Sequence, residues 1–146
     1  MAYVKNILEK KGGQVWTVAV DASVREALAL MNEKNLGAVL VMDGEEIAGI
    51  FSERDYARRS ATTGQLGLDQ PVRELMSHPV FFVEPEQTVD ECMRLMTAKH
   101  FRHLPVMDHD RLAGLISIGD VVKQIITEKE LTIKGLEHYI AGGNTP

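Results

Sequence analysis

Two segments of this chain carry the same side chains at the same spacing: Gly49-Ile-Phe-Ser52-Glu-Arg-Asp55 and Gly114-Leu-Ile-Ser117-Ile-Gly-Asp120. In each, a glycine at the end of an apolar strand leaves room for another group to come close. A serine then opens a helix, whose exposed N–H groups and positive dipole end suit a phosphate. The aspartate that follows offers a carboxylate able to accept both hydroxyls of a ribose. Ahead of the second segment, Arg102 and His103 add positive charge or donors for phosphate oxygens. Ser-x-x-Asp before an apolar run is also an ordinary capping arrangement, in which neither residue needs a ligand.

The segments lie 65 residues apart because the chain repeats. Residues 15–60 set above 80–125 give 14 identities in 46 positions without a gap, among them Val18/Val83, Glu26/Glu91, Met31/Met96 and Asp43/Asp108. The lead-in repeats too, Val4-Lys-Asn-Ile-Leu8 above Val72-Arg-Glu-Leu-Met76, with Gly12, Gly13 and Gln14 extra in the first copy. Each copy starts with a short apolar strand, Val15 to Val20 and Val80 to Val83. A helix follows from the capping boxes Ser23-x-x-Glu26 and Thr88-x-x-Glu91, with Val24, Ala27, Leu28, Met31 and Val89, Cys92, Met93, Met96 as its apolar faces. Two strands come next, Ala38–Met42 and Ile47–Phe51, then Leu104–Met107 and Leu112–Ile116, turning at Asp43-Gly44 and Asp108-His-Asp110. A second helix starts at Ser52 and at Ser117.

The pattern predicts an α/β (α+β) fold of two strand-helix-strand-strand-helix units. Neither is long enough for a comfortable core alone, so their two small sheets are expected to pack together with pseudo-twofold symmetry. The expected organisation is a first domain over 1–60, a linker over 61–71 within the turn-rich stretch Ser60–Pro71, a second domain over 72–128, and a tail over 129–146. Within the tail, Leu131–Ile140 reads as a last short helix and Gly142–Pro146 as a frayed end.

Both copies resemble CBS domains, and together they resemble a tandem CBS pair, or Bateman module, over about residues 4–127. The resemblance rests on the Arg102-His-Leu-Pro-Val106 strand and on Gly-x-x-Ser-x-x-Asp in each copy. Gly49–Arg59 and the tail Leu136-Glu-His-Tyr-Ile140 are similar to small stand-alone bacterial CBS-pair proteins and their plant relatives. The resemblance implies a non-catalytic regulatory module that takes an adenine compound (AMP, ADP, ATP, NAD(H) or S-adenosylmethionine) in the cleft between the repeats. It implies that Asp120 and Asp55 hold ribose and that Ser117 and Ser52 face phosphate. Adenine would lie against Ser77 to Val80 and the backbone of Leu104-Pro105, with Val15 at the place of Val80 in the other copy. No cofactor is required, though Mg2+ can arrive with a polyphosphate, and a homodimer and an effector protein are the implied partners. The alternative is a ligand-free protein-protein interaction or dimerisation scaffold.

The copies are unequal. Where the second has Arg102-His-Leu-Pro105, the first has Gly37-Ala-Val-Leu40, and Arg54, Arg58 and Arg59, clustered on the following helix, can compensate for the missing charge. Their other reading is a solvated helix face. The Asp120 site is therefore expected to be the stronger.

Composition narrows the field. Hydrophobic residues make up 45% and charged residues 25%, with a formal net charge of -5, which favours neither disorder nor a nucleic-acid partner. The charged start of the sequence does not resemble a signal peptide, and no apolar run approaches the ~18 residues of a membrane span. A single cysteine, Cys92, fits a reducing cytoplasm, and its place on a helix face reads as a small buried apolar residue. No Gly-x-x-x-x-Gly-Lys phosphate loop or placed Ser-His-Asp set is present, so the chain does not read as an enzyme. His100 and His103 straddle a helix-to-strand junction without companion ligands, so no metal site is expected.

Overall fold

A computed structural model describes residues 1–78 and 80–141, with side chains to Tyr139. In chain order the elements are α1 (Val4–Lys11), β1 (Thr17–Ala19), α2 (Val24–Lys34), β2 (Ala38–Asp43), β3 (Glu46–Ser52), α3 (Glu53–Thr63), a 3-10 turn (Val72–Glu74), α4 (Val89–Lys99), β4 (His103–Asp108), β5 (Arg111–Ser117) and α5 (Ile118–Ala141). Of the expected capping boxes at Ser23 and Thr88, the hydroxyl half forms. Ser23 and Thr88 each accept the N–H of the glutamate three residues on, at 3.1 Å. Asn35 and His100 end α2 and α4 in the left-handed conformation. The apolar faces of the two helices are buried through Val24, Ala27 and Met31 and through Val89, Cys92 and Met96, with Leu28 and Met93 packed beside them.

The chain forms two compact units that cut across the sequence copies. One joins Met1–Gly13 to the described residues from Phe82 on; the other is Gln14–Phe81. Each copy's lead-in thus packs on the other copy's strands and helices. In the first unit Tyr3 bridges Thr88, with Val4 N–H donating to the Gln87 carbonyl and Val89 N–H to that of Ala2, both at 2.9 Å. In the second unit Ser23 bridges Pro71 through the corresponding bonds, Val24 to Gln70 at 2.9 Å and Val72 to Ala22 at 2.7 Å.

The units share an antiparallel hairpin with a bulge at the same place, between Val41 and Met42 and between Val106 and Met107. They differ at its open edge. Parallel β1 pairs with β2 over three residues, Thr17 to Ala19, giving a three-stranded sheet in the order β1-β2-β3. The strand expected at Val80–Val83 is reduced to one bridge, Val83 to Val106, beside the two-stranded β4-β5 sheet. Two prolines explain the loss. At one end Val20 donates to the Met42 carbonyl at 3.1 Å, and its counterpart, Pro85, has no N–H. At the other, Pro105 occupies the place of Leu40 and cannot donate either.

Two further expectations are corrected. The first residues of the linker expected over 61–71 are helical, because α3 continues to Thr63 and stops at left-handed Gly64. Leu131–Ile140 is no separate helix but the end of α5, since no proline interrupts the run and Gly135 alone does not break it. Gly142–Pro146 lie outside the described residues.

The room left by Gly49 and Gly114 is filled by the protein itself. A Cβ on Gly49 would lie 2.5 Å from the Met76 sulfur and 2.9 Å from the Ser77 carbonyl oxygen; one on Gly114 would lie 2.5 Å from Leu8 Cδ2. Leu8 and Met76 are equivalent positions of the two lead-ins. The Ser77 backbone cannot yield easily, because it exchanges hydrogen bonds with Ile50 at 2.8 and 3.0 Å. Gly49→Ala should therefore lower stability by about 1–3 kcal/mol, whereas Gly114→Ala meets only a side chain that can turn and should cost less. Urea unfolding of both variants tests the ranking, and equal losses would contradict it.

Candidate functional site

Both motif serines and aspartates form reciprocal caps. Ser117 N–H donates to Asp120 Oδ2 at 2.8 Å, and Asp120 N–H donates to Ser117 Oγ at 3.1 Å. Ser52 and Asp55 repeat this at 3.0 and 3.1 Å, and the Ser52 hydroxyl also donates to Asp55 Oδ2 at 2.9 Å. The capping alternative is thus part of the geometry. It also uses much of each helix end, since the Ile118 amide goes to the Arg102 carbonyl at 2.8 Å and the Glu53 amide to that of Gly37 at 3.1 Å. Two first-turn amides of each helix are already taken, leaving less for a phosphate than the dipole argument implied.

Around Asp120 the structure gathers most of the residues expected there. His103 lies opposite Ser117 in the β4–β5 register, Leu104 opposite Ile116 and Pro105 opposite Leu115. Arg102 is exposed and His103 half-buried, while Leu104 and Pro105 are buried, so those two offer backbone only. The Pro105 carbonyl already accepts Val83 N–H at 3.0 Å.

Ser77 and Val80 belong to the other unit. There the Ser77 hydroxyl donates to Asp55 Oδ1 at 3.0 Å. Val15 precedes β1 in the same unit, half-buried, and Arg54 and Arg58 are exposed on α3.

The residue that sequence reasoning missed is Lys11. Its ammonium donates to Asp120 Oδ2 at 2.6 Å and to the Leu115 carbonyl at 2.8 Å. Burial opposes the charge on Asp120, but the Lys11 bond, the Ser117 bonds and the nearby positive charge outweigh it and hold the carboxyl below its ordinary pKa. The sole hint in the sequence is a lysine pair ending α1 before Gly12-Gly13, the insertion that distinguishes the first lead-in. The two motif carboxylates are therefore held differently: Asp55 by neutral donors, Asp120 by a cation.

Other candidates have local roles. His100 is the left-handed cap of α4. Burial, with a smaller contribution from Glu91, pushes the Cys92 thiol up to about 11, so it stays protonated and unreactive at neutral pH. Among the described residues no three His, Cys, Asp or Glu side chains group as metal ligands, and no helix is long and apolar enough to cross a membrane.

A family model for the CBS domain matches residues 4–62 and again 72–127. The chain belongs to the CBS-domain family. A solved CBS-domain protein from Burkholderia ambifaria is 46% identical with a TM-score of 0.81, the match covering 86% of this chain and 95% of that one. The mitochondrial CBS-domain-containing protein CBSX3 of Arabidopsis thaliana is 34% identical over 149 aligned residues, 96% of this chain and 72% of that protein. A structure of CBSX2 in complex with AMP shares the fold at 24% identity and a TM-score of 0.68, covering 88% of this chain and 99% of that one. In CBS terms, the two matched segments are the sequence copies, and the compact units are built by exchanging their lead-ins.

The Lys11–Asp120 pair gives a pH signature. A folded-state pKa below the unfolded value contributes stability that is present above about pH 3.9 and lost as pH falls through the folded value. Lys11 is 41% exposed, so screening limits the effect. Lys11→Met should cost about 0.2–1 kcal/mol at pH 7 and progressively less below pH ~4. Urea unfolding of both proteins between pH 7 and 3 checks this, and a pH-independent difference would contradict the assignment.

Proposed function

We propose that this tandem CBS pair is a non-catalytic regulatory module that binds an adenine nucleotide, with Asp120 as the principal ribose acceptor. The observation that carries the reading is the state of its carboxylate. Oδ2 is fixed at the start of α5, while Oδ1 accepts nothing from the described residues. Asp55 has both oxygens engaged, Oδ2 by Ser52 and Oδ1 by Ser77. At Asp55 even the first ribose hydroxyl must displace Ser77 or Ser52, which supports Asp120 as the stronger site and Asp55, with Ser52, Val15, Arg54 and Arg58, as the weaker. Arg102 and His103 are the phosphate-side groups at Asp120, with Mg2+ accompanying a polyphosphate. AMP on a family member of the same fold supports the ligand class. Occupancy then acts by favouring one arrangement of the protein that an effector reads.

A second reading, an interaction or dimerisation scaffold, draws on α5, where Ile126, Leu131, Ile133, Leu136 and Tyr139 are exposed. Thermal unfolding of ligand-stripped protein with AMP, ADP, ATP, NAD, NADH and S-adenosylmethionine separates the two. A ligand at about 100 times its Kd adds roughly 2.7 kcal/mol, a rise of several degrees in Tm. The rise should vanish in Asp120→Asn and largely persist in Asp55→Asn. No rise with any compound at millimolar concentration favours the scaffold.

A further inference from the structure

We infer that Lys11 is a built-in competitor for the nucleotide at Asp120 and, once displaced, the group that selects for a phosphorylated ligand. The inference rests on the binding reading above and adds to it how that site is regulated.

Acceptor capacity carries the argument. A carboxylate oxygen has two lone-pair directions, and Asp120 Oδ2 spends both, on Ser117 N–H at 2.8 Å and on the Lys11 ammonium at 2.6 Å. A single ribose hydroxyl can reach Oδ1 without disturbance. Bidentate capture of the cis-diol needs an oxygen position that Lys11 holds. Ser117 cannot yield it, because its amide belongs to the cap that starts α5.

Lys11 can yield. Its side chain is 41% exposed and ends a flexible four-carbon stem. Its backbone cannot follow. Gly12 N–H donates to the Leu8 carbonyl at 2.7 Å, a Cβ on Gly13 would lie 2.9 Å from the Ala113 carbonyl oxygen, and Leu8 fills the space at Gly114. The end of α1 is thus fastened beside β5 while the ammonium is left to swing. A displaced lysine cation at that point loses two acceptors, Asp120 and the Leu115 carbonyl, and a phosphate on the incoming nucleoside replaces them. A nucleoside without phosphate pays for the displacement and returns nothing to Lys11. The Asp55 carboxylate, held by the Ser77 hydroxyl, lacks this discrimination.

The test is calorimetric titration of full-length wild type, Lys11→Met and Lys11→Arg with adenosine and with AMP. Lys11→Met should bind adenosine more tightly and AMP more weakly, so that the preference for AMP over adenosine falls by about tenfold or more, the size of one lost charge-assisted hydrogen bond. Lys11→Arg should restore much of that preference. A merely structural role would weaken both ligands alike. Wild type that binds, with a preference unchanged in Lys11→Met, overturns this inference and leaves the binding reading standing. Wild type that binds neither compound overturns both.

Discussion

Each unit depends on a lead-in segment clamped against a glycine in the last strand of its hairpin. Leu8 enters at Gly114, and Met76 with the Ser77 carbonyl at Gly49. The same segments bury Val4, Ile7, Val72 and Leu75, so they complete cores rather than decorate them. They also deliver the polar group that meets each motif carboxylate, Lys11 to Asp120 and Ser77 to Asp55. Core packing and site electrostatics are therefore set by one contact. A shift of the lead-in that opened the glycine notch would move the donor with it.

Local chemistry was readable from the sequence where it depends on neighbours in the chain. Ser23, Ser52, Thr88 and Ser117 announce helix starts because a cap needs only a hydroxyl and the amide three residues on. The hairpins follow from short apolar runs between turn signals, while the bulges in them do not. The short edge at Val83 was misread as a strand because Val80–Val83 is apolar enough to form one. What prevents it are missing donors at Pro85 and Pro105, which lie outside that run. The pairing of each lead-in with the other copy's elements could not be read at all, since a repeat shows that two segments are equivalent but not which one each joins.

The site was legible to the same extent. Ser117, Asp120, Arg102 and His103 converge because a hairpin register and a helix cap bring them together, and both are local. Lys11 reaches Asp120 across more than a hundred residues, and nothing in the pattern around Lys10-Lys11 points there. The glycines Gly49 and Gly114 were read as places where another group comes close. Only the structure shows that this group is the chain's own lead-in. Identical motifs thus acquired different electrostatics from segments outside the motif.

The exchange of lead-ins also orders assembly during synthesis. The unit of residues 14–81 is one uninterrupted stretch, and it is complete soon after its last residue leaves the ribosome. The other unit spans it on both sides, so residues 1–13 are made first and must wait, undocked, until α4, β4, β5 and α5 exist. Domains generally fold as units during synthesis, and α1 has to close a loop across residues 14–81, an entropic cost that the continuous unit does not meet. The outer unit, which carries Lys11 and Asp120, is the one that needs the segments made last.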